Sequence, residues 1–170
     1  AAMLSKELNV YNLISAYRQK GHLIAKTNPI RPRKDRHANL GLKYFNLSDA
    51  DLNTHFQVGQ HIGLPNATLK QIIEKLEGIY CGSVGVEFTY VNDPEIENWI
   101  LNAAEKTLLE KPSLEKRKRN LEKINQGVLF EKFLHTKYIG QKRFSLEGGE
   151  ALIPALDAAI HVAAKNHVRE

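Results

Sequence analysis

Between residues 135 and 150 the chain reads HTKYIGQKRFSLEGGE. Lys137, Lys142 and Arg143 place three fixed cations within seven residues, and Gly148 and Gly149 stand just ahead of an apolar helical pattern. Backbone amides exposed at a helix start gather partial positive charge, so cations beside them suit a carboxylate or a phosphate. Glu147 and Glu150 occupy the same junction, and a carboxylate near a helix N-terminus is the ordinary structural filling of that field. The residues alone leave two readings open, an anion site or a structural junction.

The remaining candidates for chemistry are more dispersed. Arg31, Arg33, Lys34, Arg36 and His37 form a cationic arm that could meet phosphates, because clustered cations gain free energy by releasing counterions. No aromatic side chain stands among them to stack on bases, which favours a solvated loop facing acidic surface. Lys116, Arg117, Lys118 and Arg119 lie among glutamates, with Glu115–Arg119 and Lys118–Glu122 at i,i+4 spacing. Such pairs are worth roughly 0.2–0.5 kcal/mol each, so this run reads as a solvated helix face. His55 and His61 have no third ligand at metal-binding spacing. No GxSxG, GxGxxG or GxxxxGK(S/T) pattern occurs. Cys81 is the only cysteine and has no base beside it in sequence; it forbids an internal disulfide and fits a reducing compartment.

The elements that must position these residues are helical. The chain has 170 residues, 42% apolar and 25% charged, with a net charge of +5, which suits one domain or two small helical lobes. No apolar run reaches the ~18 residues of a transmembrane helix. Val10, Leu13, Ile14 and Tyr17 recur at helical spacing before Gly21. Residues 26–39 carry two prolines and little apolar periodicity, and form the arm. Ser48 suits the cap of a short helix, and Leu69, Ile72, Ile73 and Leu76 make the stripe of a stronger one.

Val84, Val86, Phe88 and Tyr90 alternate with smaller or polar residues, which predicts a short extended stretch near 84–90. Asp93 and Pro94 start a helix with Ile96, Trp99, Ile100 and Ala103 on one face, and Pro112 stops it. Ser113 caps a mostly polar helix with Leu114, Leu121 and Ile124 inward. After Gly127, Leu129, Phe130, Phe133 and Leu134 make a further amphipathic pair of turns. Leu152, Leu156, Ile160 and Ala163, with Ile153, Ala159 and Ala164 beside them, give the last helix a stripe wide enough for burial on more than one side. Pro154 belongs in its first turn or kinks it. The fold class is mainly α. It comprises an amino-terminal helical region, 1–92, with the basic arm 26–39, and a second helical region, 93–170.

The phrase FLHTKYIGQKRFSLEGGEALIPALD resembles a signature of the thiamine diphosphate-dependent first component of 2-oxoglutarate dehydrogenase, F-x-x-x-K-(Y/F)-x-G-x-K-R-F-S-L-E-G-(G/A)-(E/D)-x-x-I-P. The match runs through Phe133, Lys137, Tyr138, Gly140, Lys142, Arg143, Phe144, Ser145, Leu146, Glu147, Gly148, Gly149, Glu150, Ile153 and Pro154. LISAYRQKGHLIAKTNPI is similar to the family's A-Y-R-x-x-G-H-x-x-A-x-x-(D/N)-P-(L/I), and YCGSVGVEFTYVNDPEIENWI to its Y-C-G-x-(I/V)-G-x-E-(Y/F)-x-(H/Y)-(I/V) stretch. Asn28 stands where aspartate is commoner, and Tyr90 where histidine is frequent. The family's H-R-G-R segment and its magnesium-holding G-D-G…N motif do not occur in this sequence.

The resemblance therefore implies an amino-terminal fragment that ends before the main catalytic motifs and leads into an α/β catalytic domain. It implies a parent enzyme that decarboxylates 2-oxoglutarate and transfers the succinyl group to a lipoyl arm in the citric acid cycle, using thiamine diphosphate and Mg²⁺. A homodimer is implied, with dihydrolipoyl succinyltransferase and dihydrolipoyl dehydrogenase as partners and neither membrane nor nucleic acid. The implied location is the cytoplasm of a bacterium or the mitochondrial matrix of a eukaryote. The fragment itself is expected to be inactive and free of cofactor, with a structural, assembly or partner-docking role. Lys142, Arg143, Ser145 and Glu147 are its candidate anion contacts, to substrate or to a neighbouring domain. The alternative is a free-standing basic helical module that binds nucleic acid or a protein partner.

Overall fold

The computed structural model describes residues 2–34 and 36–169 and is mainly α. Its α-helices are α1 (Ala2–Lys20), α2 (Leu69–Tyr80), α3 (Pro94–Thr107), α4 (Leu114–Lys137) and α5 (Leu152–Lys165). Among the described residues the strands are two-residue pieces, β1 (His55–Phe56) and β2 (Ala67–Thr68), paired antiparallel with His55 opposite Thr68 and Phe56 opposite Ala67. The chain divides into two compact units, Ala1–Glu110 and Lys111–Glu170. This division places α3 with the residues before it, whereas the sequence reading placed the boundary ahead of that helix.

In the first unit, the helical repeat of Val10, Leu13, Ile14 and Tyr17 buries one face of α1 in a core shared with Leu69, Ile72, Leu76, Ile79 and Tyr80 of α2. Full burial of such a side chain is worth roughly 1.5–3 kcal/mol. Phe56, Val58 and Ile62, from β1 and the 3-10 turn Gln57–Ile62, complete that core. Gly21 follows α1 where the chain presses on α2; a Cβ there would run into the Cβ of Tyr80, so no larger residue fits. Helix starts follow their caps. Thr68 and Gln71 form a reciprocal capping box on α2, and Asp93 Oδ1 accepts from the amides of Glu95 and Ile96 with Pro94 in the first turn of α3. Ser48 and Asp51 make a similar box on the 3-10 turn Asp49–Asp51.

Two expectations change here. Residues 84–90 join no ladder; Val84 and Tyr90 are exposed while Phe88 is buried. The inner face of α3 is also not the one carrying Ile96 and Trp99, which are 50% and 71% exposed. Ile100, Leu101 and Leu108 pack on the core instead, and Ala104 is buried. The reason is Glu105, which lies in the 101, 104, 105, 108 stripe and is held inward by two partners. A count of apolar residues alone does not register a stripe with a carboxylate in it.

In the second unit, α4 and α5 pack on one another through a connection at 138–151. Helix α4 runs unbroken through Gly127, contrary to the expected interruption. A mid-helix glycine costs about 1 kcal/mol; a Cβ here would stand 3.4 Å from Ile153 Cγ1 of α5, in van der Waals contact. Pro154 lies in the first turn of α5, where it needs no donor. Asp157 on α5 accepts from Arg119 Nε at 2.8 Å and lies 3.1 Å from Lys123 Nζ. Arg119 thus pairs across the hairpin rather than with Glu115. The broad stripe of α5 is not covered: no described residue of α4 or α5 is buried, and Leu114, Leu121, Phe130, Leu156 and Ile160 are all at least half exposed.

Candidate functional site

The junction that drew attention in sequence is the connection between α4 and α5. Tyr138 ends α4 by donating its amide to Leu134 O at 3.0 Å. Gly140 and Gly148 take positive φ values of 83° and 85°, conformations that a side chain disfavours. Gly149 donates its amide to Leu146 O at 2.6 Å, and the amides of Leu152 and Ile153 donate to Gly149 O and Glu150 O. The glycine pair therefore builds a turn whose Gly149 amide is already used.

Two side chains of α4 hold this connection. Glu131 Oε1 accepts the amide of Leu146 at 2.7 Å, and Arg143 donates from Nη2 to His135 Nδ1. A guanidinium can only donate, so Nδ1 of His135 is the accepting atom in this bond. Around these contacts lies an open cleft of about 350 Å³. Lys132 and Arg143 bring two cations to its lining, against the three carboxylates of Glu131, Glu147 and Glu150. Ser145 also lines it, while Lys142 does not; its Nζ lies 5.8 Å from the Phe144 ring centroid. Phe144 is 88% exposed.

Of the predicted contacts, the structure thus brings Arg143, Ser145 and Glu147 to one cleft and leaves Lys142 outside it. The cleft's carboxylates outnumber its cations, which makes it a poor trap for a free anion and a good seat for a guanidinium. Glu131 was missed in sequence. Its signal was there, since Glu131 and His135 at i,i+4 share one face of α4.

Three of the other candidates have structural roles or surroundings. Arg33 donates from Nη1 to His22 O at 2.8 Å and to Ala25 O at 3.3 Å. His61 meets Tyr11 edge to face at 5.5 Å, and its carbonyl accepts from Arg18. Among the described residues no three His, Cys, Asp or Glu side chains converge in a way that could hold a metal ion. Among the described residues no helix is long and apolar enough to cross a membrane. Burial, with help from the Glu77 carboxylate, pushes the Cys81 thiol up to about 11, which removes nucleophilic thiolate near neutral pH.

No family model matches the chain. Similarity to curated proteins is extensive. The chain is 40% identical over 168 residues to the multifunctional 2-oxoglutarate metabolism enzyme of Mycolicibacterium vanbaalenii, a match covering 97% of this chain and 13% of that protein. It is 42% identical over 167 residues to the 2-oxoglutarate dehydrogenase E1/E2 component of Corynebacterium glutamicum, covering 95% of this chain and 14% of the relative. It is 40% identical over 162 residues to the 2-oxoglutarate dehydrogenase E1 component of Coxiella burnetii, covering 93% and 17%. The chain therefore spans less than a fifth of the length of these relatives.

Proposed function

We propose that this chain, a homologue of one segment of the 2-oxoglutarate dehydrogenase E1 components, works as part of such an enzyme in the oxidative decarboxylation of 2-oxoglutarate and succinyl transfer to a lipoyl group. Taken alone it is inactive in that reaction and has a structural, assembly or docking role. The observation that carries this reading is the combination of similarity over 93–97% of the chain with coverage of only 13–17% of each relative. The longer enzyme would be a homodimer and work with dihydrolipoyl succinyltransferase and dihydrolipoyl dehydrogenase. Its compartment would be the bacterial cytoplasm or the mitochondrial matrix.

Thiamine diphosphate with Mg²⁺ would supply the decarboxylation chemistry of that enzyme. The residues described in this chain do not fit the group. They include no convergent metal-ligating set, and the cleft beside Arg143 holds more carboxylates than cations. No step of that chemistry is assigned to them.

What this chain's own residues do at the junction is brace it. Arg143 and Glu131 tie the 138–151 connection back to α4 through His135 and the Leu146 amide. That arrangement supports a positioning role for Arg143 over direct contact with a substrate carboxylate.

An antibody raised against this chain tests the reading in extracts of the source cells. The expected result is a polypeptide several times heavier than the chain that comigrates with 2-oxoglutarate dehydrogenase activity. A band at the chain's own mass, separate from that activity, would overturn it.

A further inference from the structure

The cationic arm forms a groove of about 620 Å³, lined by apolar and basic side chains together. Ile24, Pro29, Ile30 and Pro32 supply apolar surface, and Ile30 is 86% exposed. Lys26, Arg31 and Lys34 border the same space. From 26 to 37 the sequence carries five lysines and arginines against the single carboxylate of Asp35. Among the described residues, neither Arg31 nor Lys34 makes an ion pair.

The arm is also held in shape. Its roots are buried at Ala25 and Ala38. The Lys26 amide donates to Gly82 O at 2.8 Å. Asn28 Oδ1 accepts from the amides of Ile30 and Arg31, two prolines restrict φ, and Arg33 is tied to the carbonyls of His22 and Ala25. Arg33 thus shapes the groove, while Arg31 and Lys34 are left to face a partner. A groove that is ordered beforehand loses little freedom on binding.

We propose that the 26–34 part of the arm is a docking groove for an acidic peptide segment of a partner protein, with an aliphatic side chain set between its carboxylates. The carboxylates pair with Lys26, Arg31 and Lys34, and the aliphatic group seats against Ile24 and Ile30. Charge complementarity selects the acid, and the exposed isoleucines select a side chain that inorganic anions lack. A nucleic acid would find cations but no aromatic platform in the arm. This inference rests on the arm alone and does not depend on the chain's belonging to a dehydrogenase.

The test uses the whole chain and a fluorescein-labelled peptide of glutamates around a central leucine, read by fluorescence anisotropy. Three comparisons accompany it: the same peptide with glycine for leucine, a single-stranded DNA oligonucleotide of matched charge, and inorganic triphosphate as competitor. The expected result is salt-sensitive binding that falls at least about tenfold in the double variant R31E/K34E. It should also fall for the glycine peptide and for Ile30→Asn, while the thermal melting of each variant stays at the parent value. Absence of peptide binding at low salt would overturn the proposal. So would equal or tighter binding of the oligonucleotide, which would mark a nucleic-acid surface. Equal affinity for both peptides, with full displacement by triphosphate, would mark a plain anion patch and overturn it as well.

Discussion

The guanidinium of Arg18 grips the carboxylate of Glu105 with two hydrogen bonds, Nε to Oε1 at 2.8 Å and Nη2 to Oε2 at 3.1 Å. Tyr80 donates to the same Oε1 at 2.7 Å, and Arg18 Nη2 also reaches His61 O at 2.9 Å. One carboxylate therefore fastens α1, α2 and α3, and the Arg18 and Glu105 side chains are only 17% and 10% exposed. Burial pushes the Tyr80 hydroxyl well above its ordinary value, with the Glu105 carboxylate adding to the effect.

Removing one partner leaves the other charge largely desolvated. Arg18→Ala is expected to lower unfolding stability by about 3 kcal/mol, and Tyr80→Phe by about 1 kcal/mol. Denaturant titrations of both variants check this. Losses below about 0.5 kcal/mol for Arg18→Ala would mean that the clamp contributes no more than an exposed pair.

Lys6 donates to the nearly inaccessible Asp51 carboxylate, which also accepts from the Ser48 amide. The Lys6 bond, followed by the Ser48 bond, holds the Asp51 carboxyl below the usual carboxylate range. A depressed folded-state value stabilises the protein above the unfolded-state value, and that contribution is lost as pH falls through the folded one. Stability should thus drop in acid, and Asp51→Asn should flatten the acid limb while lowering stability near neutral pH. An unchanged pH slope in the variant would remove Asp51 from the explanation.

The Cys81 thiol behaves in the opposite sense. Its folded value of about 11 is raised by burial and Glu77, so stability attributable to it is complete below the unfolded thiol's value and is lost as pH rises towards 11. A chromogenic disulfide reagent near neutral pH should label native chain at least about a hundredfold more slowly than denatured chain. Comparable rates would show that Cys81 is open to solvent.

In the longer enzyme proposed above, Arg143→Ala at the α4–α5 junction is expected to lower the melting temperature or weaken the proposed dimer, because it removes the bond to His135. The Michaelis constant for 2-oxoglutarate should stay near the parent value. Glu131→Gln, which still accepts from the Leu146 amide, should be milder than Glu131→Ala by roughly 1 kcal/mol. A raised Michaelis constant at an unchanged melting temperature would instead place Arg143 on the substrate.

The second unit leaves apolar side chains such as Phe130, Leu156 and Ile160 facing outward. Apolar surface of this kind drives association. Purified chain should therefore sediment with a concentration-dependent mass, and the double variant F130S/I160D should shift it towards the monomer. A monodisperse monomer of parent sequence at high concentration would contradict this.

The helix caps, the α1 stripe and the α2 stripe were legible in sequence because each depends on residues within a few positions of one another. Asp93 with Pro94, Ser113 with the Lys116 amide, and Val10 with Leu13, Ile14 and Tyr17 are local arrangements. The resemblance around Lys142 to Glu150 was equally readable, since it is a continuous phrase. Tertiary structure alone settled which face of α3 turns inward, because Glu105 is held there by Arg18, 87 residues away. It likewise showed that Arg33 serves backbone carbonyls, that Arg119 crosses to Asp157, and that Arg143 meets His135. A charged side chain carries no sequence mark of its eventual partner. Periodicity predicts which residues share a face, but the partner brought alongside by the fold determines whether that face is buried, paired or left to solvent.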